Sequence, residues 1–380
     1  MEESRGLVVL ACLGAYLAAC AALGAASSRR VRSTADFFMA GSGLGAGASG
    51  TATFATALGG FAFVGGPGLV YSAGVSSLWI VVAATLGLAI TFFLVAKRLR
   101  LFAELCDAVS LPDVVALRYG SEATRFLSAA VILFGVLIAL TLQLLAMGRV
   151  LEGLVGGALA APVSLKTCVL ASAAVLIFYC AAGGMRASIS TDLLQGAVML
   201  AGGVAVFLMA LGAVEGGATR MVTLILEDDP EAMAPWGTFG MLGCLSWYFL
   251  FALGAAGQPH VIAPAMMVKS VSRLRFALPT ALAGFCLSAL LWIGAGLALR
   301  ALVLSGQRPE PGSAESAATA FLMAPTVDPL LAALVFAALL AASMSTADAL
   351  LNMGSAAVVH DLPRALIGRP LTHPLRWARA

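Results

Sequence analysis

Charge is what this chain has least of. Lys, Arg, Asp and Glu make up 11% of its 380 residues, against 61% hydrophobic. So small a charged share does not fit a soluble domain of this size. No soluble catalytic signature stands out. A nucleic-acid footprint is also missing: the net charge is only +3 and no basic run dominates. Histidine is scarce, and His260, His360 and His373 are too dispersed to suggest metal-site spacing. The seven cysteines contain no CxxC pair. Most of them lie inside apolar runs and read as small packing residues, not as disulfides or metal ligands.

What the chain has in plenty is apolar runs of spanning length, about 20 residues each. Nine are predicted, at about 7–26, 44–72, 76–96, 124–148, 160–182, 190–213, 238–264, 277–303 and 330–352. The first is a poor signal peptide, because Glu2 and Glu3 precede it and basic residues follow it. The loops alternate in charge. Sixteen of the 22 basic residues fall on one side, among them Arg29, Arg30, Arg32, Lys97, Arg98, Lys269, Arg273 and Arg364. The other side holds Arg5, Arg149, Lys166, Arg220, Arg300 and Arg308, together with the acidic loop Glu227, Asp228, Asp229 and Glu231. The positive-inside rule then predicts an inner-membrane, multi-pass protein with its N-terminus outside and its C-terminus in the cytoplasm. Leu111–Tyr119, with Pro112 near its start, reads as a short surface helix on the cytoplasmic side.

Two runs are not regular helices. The second carries Gly59, Gly60, Gly65, Gly66, Pro67 and Gly68, and the seventh carries Gly254, Gly257, Gln258, Pro259 and Pro264. Glycine and proline weaken a helix there, and backbone freed at membrane depth must face protein, water or a ligand. Two broken spans, each opening a group of spans, is the pattern of inverted-repeat transporters. The last run, 330–352, turns polar while still deep in apolar sequence, at Ser343, Ser345, Thr346, Asp348 and Asn352. Ser345 and Thr346 are adjacent, so their hydroxyls lie about 100° apart on a helix and can flank one small hard cation. The same pair also reads as small residues at a helix–helix contact.

Four segments carry a family pattern. They are Phe37-Phe38-Met39-Ala40-Gly41; Gly66-Pro67-Gly68 with Tyr71 and Gly74; Gly183-Gly184-Met185-Arg186-Ala187 followed by Thr191-Asp192 and Gln195-Gly196; and Ala341 to Asp361. In order and spacing the chain resembles the sodium:solute symporter family, the group of the sodium–proline and sodium–glucose transporters. Gly257-Gln258-Pro259-His260 is most similar to the proline branch. The resemblance implies an all-α polytopic membrane protein with a LeuT-like inverted-repeat core and about nine transmembrane helices. It implies sodium-coupled symport of a small organic solute, an amino acid such as proline or similar, by alternating access. Na+ would be the coupling ion, with no enzymatic activity. The partners would be that solute and the lipid bilayer, with no nucleic acid.

By the same resemblance, the sodium ligands are the backbone carbonyls of Ala55, Leu58 and Ala342 and the hydroxyls of Ser345 and Thr346. Asp192 has two readings. It caps the sixth span after Ser190 and Thr191, or it joins Asp348 in a second sodium site. Candidate solute contacts are Phe61, Gly65 and Phe63 around the first break and Trp247, Phe251, Ala255 and Gln258 around the second, with plain packing as the other reading. Residues 1–380 form one membrane transport domain: an extra helix 7–26, a first repeat at about 44–213, a partial second repeat at about 238–352 and a cytoplasmic tail 360–380. A second repeat of this type is expected to hold five helices, and only three apolar runs are present. A non-transporting truncated fragment and a symporter-like sensor module are therefore carried as alternatives.

Overall fold

The computed structural model describes residues 2–29, 31–159, 163–313, 316–322, 327–369, 371 and 373–379; the side chains of residues 2–4, 61, 157–159 and 182 lie outside the description. Among the described residues every extended element is helical. They run in order as α1 (Glu2–Ser28), α2 (Thr34–Met39), α3 (Ala46–Ala57), α4 (Gly60–Ala73), α5 (Trp79–Ile90), α6 (Lys97–Cys106), α7 (Leu111–Tyr119), α8 (Glu122–Leu159) and α9 (Leu165–Leu211). Then come α10 (Gly217–Asp228), α11 (Gly240–Trp247), α12 (Gly254–Ala256), α13 (Pro259–Met266), α14 (Leu274–Leu304), α15 (Ala317–Leu322), α16 (Pro329–Ala356), α17 (Leu362–Ile367) and α18 (Pro374–Arg379). Three π-helical turns, Thr91–Ala96, Tyr248–Leu253 and Ala357–Asp361, join consecutive helices without a loop.

Local sequence explains the starts. Asp328 caps α16 by accepting the Leu330 and Leu331 amides, and Pro329 supplies a first residue that needs no donor. Ser110 caps α7 in the same way, with Pro112 in the first turn. Ser33 and Asp36 cap each other's backbone at α2. Seven helices among the described residues are long and apolar enough to cross a membrane, and Leu165–Ala181 is a shorter apolar one. The segments expected at 160–182 and 190–213 are one helical run, α9, kinked at Gly184. Gly184 has φ +56°, and a Cβ there would come within 2.7 Å of Phe37, so only glycine fits the bend.

α16 is the axis of the bundle. Its apolar window is 83% buried, against 22% for those of α1 and α8. It packs on α9, α8, α1, α4 and α3. A helix hydrophobic all round is stable only when enclosed in this way. Any polar group on it is therefore held by protein or by a ligand.

Candidate functional site

The site is built where α16 passes the break between α3 and α4. α3 ends at Leu58, and Gly59 then turns to φ −23°, ψ 158° before α4 begins at Gly60. The last carbonyls of a helix have no intrahelical partner. Here they include those of Ala55, Thr56 and Leu58, all buried. The break also frees the Gly60 amide, which donates to Gln143 Oε1 on α8 at 2.7 Å. A Cβ on Gly59 would lie 3.0 Å from Gln143 Nε2 and 3.1 Å from Thr346 Oγ1. Glycine at this position is what lets both polar groups approach the backbone.

α16 meets that break with its hydroxyl pair. Thr346 Oγ1 donates to Thr56 O at 2.8 Å and also lies 3.2 Å from Ala342 O. Ser345 Oγ lies 3.5 Å from Thr56 Oγ1 and donates to Asp192 Oδ1 at 2.5 Å. Ala55, Leu58 and Ala342 are each fully buried. The donor set is entirely oxygen, which suits a small hard cation.

Asp192 is not a helix cap. It sits within α9, 2% exposed, well past the kink at Gly184 where that half of the helix begins. The cap reading placed the helix start six residues too late, because nothing in the local composition marks a kink of a single glycine. Asp348 is fully buried one turn beyond Ser345. It accepts from Ser188 Oγ at 2.6 Å, from Tyr179 Oη at 3.2 Å and from Thr191 Oγ1 at 3.5 Å. Asp192 and Asp348 lie close enough to interact electrostatically. Both carboxylates are thus surrounded by hydroxyls, and the described ion pairs bring no Lys or Arg to either.

Next to the Thr346 hydroxyl is a cavity of about 260 Å³ at the junction of the two broken spans. Thr56, Gln143, Phe251, Gln258, His260 and Thr346 are among its lining residues, together with Ala255. Of the candidate solute contacts, Phe251, Ala255 and Gln258 line it. Gly65 does not, because it lies more than a turn beyond the break on α4. Phe63 is buried in the core, and Trp247 packs against Phe239 with ring centroids 4.5 Å apart. The side chain of Phe61 lies outside the described residues. Gln143, Thr56, Tyr179 and Ser188 were not singled out in the sequence. Gln143 did carry a signal, as a lone amide in the middle of the apolar run 124–148.

A second cluster of buried carboxylates joins α7 to the far end of α16. Asp113 forms ion pairs with Arg125 and with Arg364 (3.3 Å), and its other oxygen lies 3.0 Å from His360 Nε2. Asp361 accepts from Ser110 Oγ at 2.6 Å. Burial pushes the Asp113 carboxyl up; the His360 ring, the Val109 amide and Arg125 outweigh it and bring it to about 2.

Comparison with known proteins supplies the family and the fold. The profile of the sodium:solute symporter family matches residues 37–371. The osmoregulated proline transporter of Bacillus subtilis is 26% identical over 367 residues, covering 95% of this chain and 72% of that protein. Sodium/proline symporters of Staphylococcus saprophyticus and Staphylococcus aureus are 28% identical, covering 88% of this chain and 64% of theirs. The chain therefore spans about two thirds of the length of these relatives. A solved structure of a Na+-coupled sialic acid symporter, substrate-bound and outward-open, superposes with a TM-score of 0.84 at 20% identity, covering 98% of this chain and 78% of that one. That likeness gives the fold, and with it the inverted-repeat arrangement of the two broken spans. The relatives are transporters and not enzymes, and the Staphylococcus and sialic acid symporters couple to Na+. On the match across 37–371, the chain belongs to the sodium:solute symporter family.

Proposed function

We propose that this chain carries a small, net-neutral organic solute of the proline type across the cell membrane together with Na+. One observation carries the reading: the Ser345–Thr346 hydroxyls meet carbonyls freed by the break after Leu58, with Thr346 bonded to Thr56 O at 2.8 Å. Na+ replaces that hydrogen bond and is held by the carbonyls of Ala55, Leu58 and Ala342 and the two hydroxyls. A second Na+ lies at Asp192 and Asp348, whose charges have no basic partner among the described residues.

The solute sits in the cavity between the breaks. Among the described residues no carboxylate, Lys or Arg lines that cavity. A zwitterion is then held by freed backbone groups and helix ends. Gln143 and Thr346 both touch Gly59, so ion and solute bear on one stretch of backbone, which is how binding of one favours the other. Each Na+ entering down about 100 mV and a roughly tenfold gradient supplies about 2.3 plus about 1.4 kcal/mol.

Polarity follows the basic loops: N-terminus outside, the α7 face in the cytoplasm. The test is uptake of labelled proline and similar zwitterions into Na+-loaded and Na+-free gradients across vesicles holding the chain. Na+-dependent accumulation of one of them supports the proposal. Binding without Na+ dependence, or no difference between Na+ and K+, overturns it. A cysteine at Glu231 is labelled from outside intact cells and one at Arg98 is not; the reverse overturns the polarity.

A further inference from the structure

Behind the Asp192–Asp348 pair lies a group of polar atoms that the site as described does not use. Gln195 is fully buried, one turn after Asp192 on α9, and neither its Oε1 nor its Nε2 has a hydrogen-bond partner. The Tyr16 hydroxyl is buried and unpartnered as well. Tyr16 and Cys20 stand four residues apart on one face of α1, and the Tyr16 hydroxyl approaches Cys20 and the Gln195 amide closely enough to interact, though not with the geometry of a regular hydrogen bond. Cys20 in turn lies near Tyr16 and Gln195, and both carboxylates are within electrostatic reach of it. α1 precedes the first broken span and belongs to neither repeat, yet it packs along α9 and α16.

A glutamine offers two donors and two acceptor positions, and leaving them all unpaired in a dry interior is strongly unfavourable. Leucine or methionine would fill the same space without that loss. Polar atoms left unpaired in a native core point to a partner that comes and goes. The nearest groups able to attract one are two carboxylates without a basic residue. A cation there seeks further oxygens, and the Gln195 carbonyl is an unused one at hand. The amide then needs its nitrogen turned away from the cation, and the Tyr16 hydroxyl can accept from it.

We infer that Gln195 supplies a carbonyl ligand to the cation bound at Asp192 and Asp348, and that Tyr16 on α1 positions this amide. This rests on the second Na+ site proposed above. It makes α1 a working wall of that site and not merely a lipid-facing addition. Gln195 is the ligand; Tyr16 acts through it.

The experiment is Na+-dependent thermal unfolding of the full chain in detergent, titrating Na+ against choline at constant ionic strength, because a ligand of the folded state raises the melting temperature by mass action. Gln195→Leu and the near-isosteric Tyr16→Phe are measured beside Asp348→Asn. The expected result is a Na+ response that loses its steeper-than-single-site shape in Gln195→Leu. Its midpoint moves to roughly tenfold higher Na+. Tyr16→Phe moves the midpoint by a smaller factor in the same direction. A merely structural role moves the melting temperature equally in Na+ and choline, and that result overturns the inference. If Gln195→Leu fails to fold, Tyr16→Phe decides alone: an unchanged Na+ midpoint overturns it. If Asp348→Asn also leaves the Na+ titration unchanged, the second site itself is wrong; if only the Gln195 and Tyr16 variants do, the site stands without α1.

Discussion

Asp113, beside the far end of the α16 run, and the Asp192–Asp348 pair at its middle are buried carboxylates neutralised in opposite ways. At the end of α16, Asp113 meets Arg125, Arg364 and His360. In the middle of α16, Asp348 and its neighbour Asp192 meet only hydroxyls, from Ser188, Tyr179, Thr191 and Ser345. Burial is alike: each of the three is at most 2% exposed. A buried carboxylate without a countercharge is highly unfavourable, so it is either paired by the protein or paired by something bound. Asp113 is a fixed clasp from α7 to Arg125 on α8 and to His360 and Arg364 just beyond α16. On the reading proposed above, the Asp192–Asp348 pair takes its countercharge from a bound Na+, with the hydroxyl pair beside it as a neutral first site.

The comparison breaks most sharply at Asp113. Asp113→Asn strands the Arg125 guanidinium, which is itself 1% exposed. Removing one partner of a buried pair destabilises by about 3–5 kcal/mol, and the exposed Glu122 that Arg125 also holds places the result at the low end. Thermal unfolding should show the loss equally in Na+ and in choline.

Thr346→Val keeps the shape and deletes the oxygen. One ligand fewer weakens Na+ by about 1–3 kcal/mol, roughly five- to 150-fold in apparent affinity. Na+-dependent solute binding measures it. Ser345→Thr should be tolerated far better than Ser345→Ala.

Asp192→Asn removes a charge that the protein leaves unpaired. Melting in choline should hold or rise, while the dependence on Na+ becomes shallower. Unchanged Na+ dependence would reduce Asp192 to a packing residue.

The smallest effect is on acid stability. Asp113 titrates lower in the folded chain, at about 2, than its ordinary 3.8. Its contribution is complete above about pH 4 and is lost as pH falls from there toward 2, the sign for a depressed acid. Asp113→Asn should flatten the stability–pH curve in that window; an unaltered curve would mean the ion pairs are not formed in solution.

Much of this was legible in the chain itself. Ser345 and Thr346 stand out because hydroxyls are rare in a run as apolar as Leu330–Leu340. The breaks show in Gly59–Gly60 and Gly257–Pro259, and the α7 helix in Ser110 with Pro112. What stayed hidden depends on distance along the chain. Asp113 and His360 are 247 residues apart, and no local pattern joins them. Of the two readings of Asp192, the cap fails because that half of its helix begins at Gly184, whose φ of +56° has no signature beyond the glycine itself. Gln143 was passed over because its partner is a backbone amide, Gly60, which leaves no trace in composition.

On the proposed reading, the mid-helix carboxylates take their countercharge from Na+ and the α7 carboxylate takes its from the protein. One measurement sets them side by side: the rise in melting temperature on replacing choline with Na+, in wild type, Asp348→Asn and Asp113→Asn. Asp348→Asn is expected to lose most of the rise while its melting in choline is not lowered. Asp113→Asn should melt lower in both salts and keep the full rise. A full Na+ rise in Asp348→Asn, with the same drop in choline as Asp113→Asn, would contradict it.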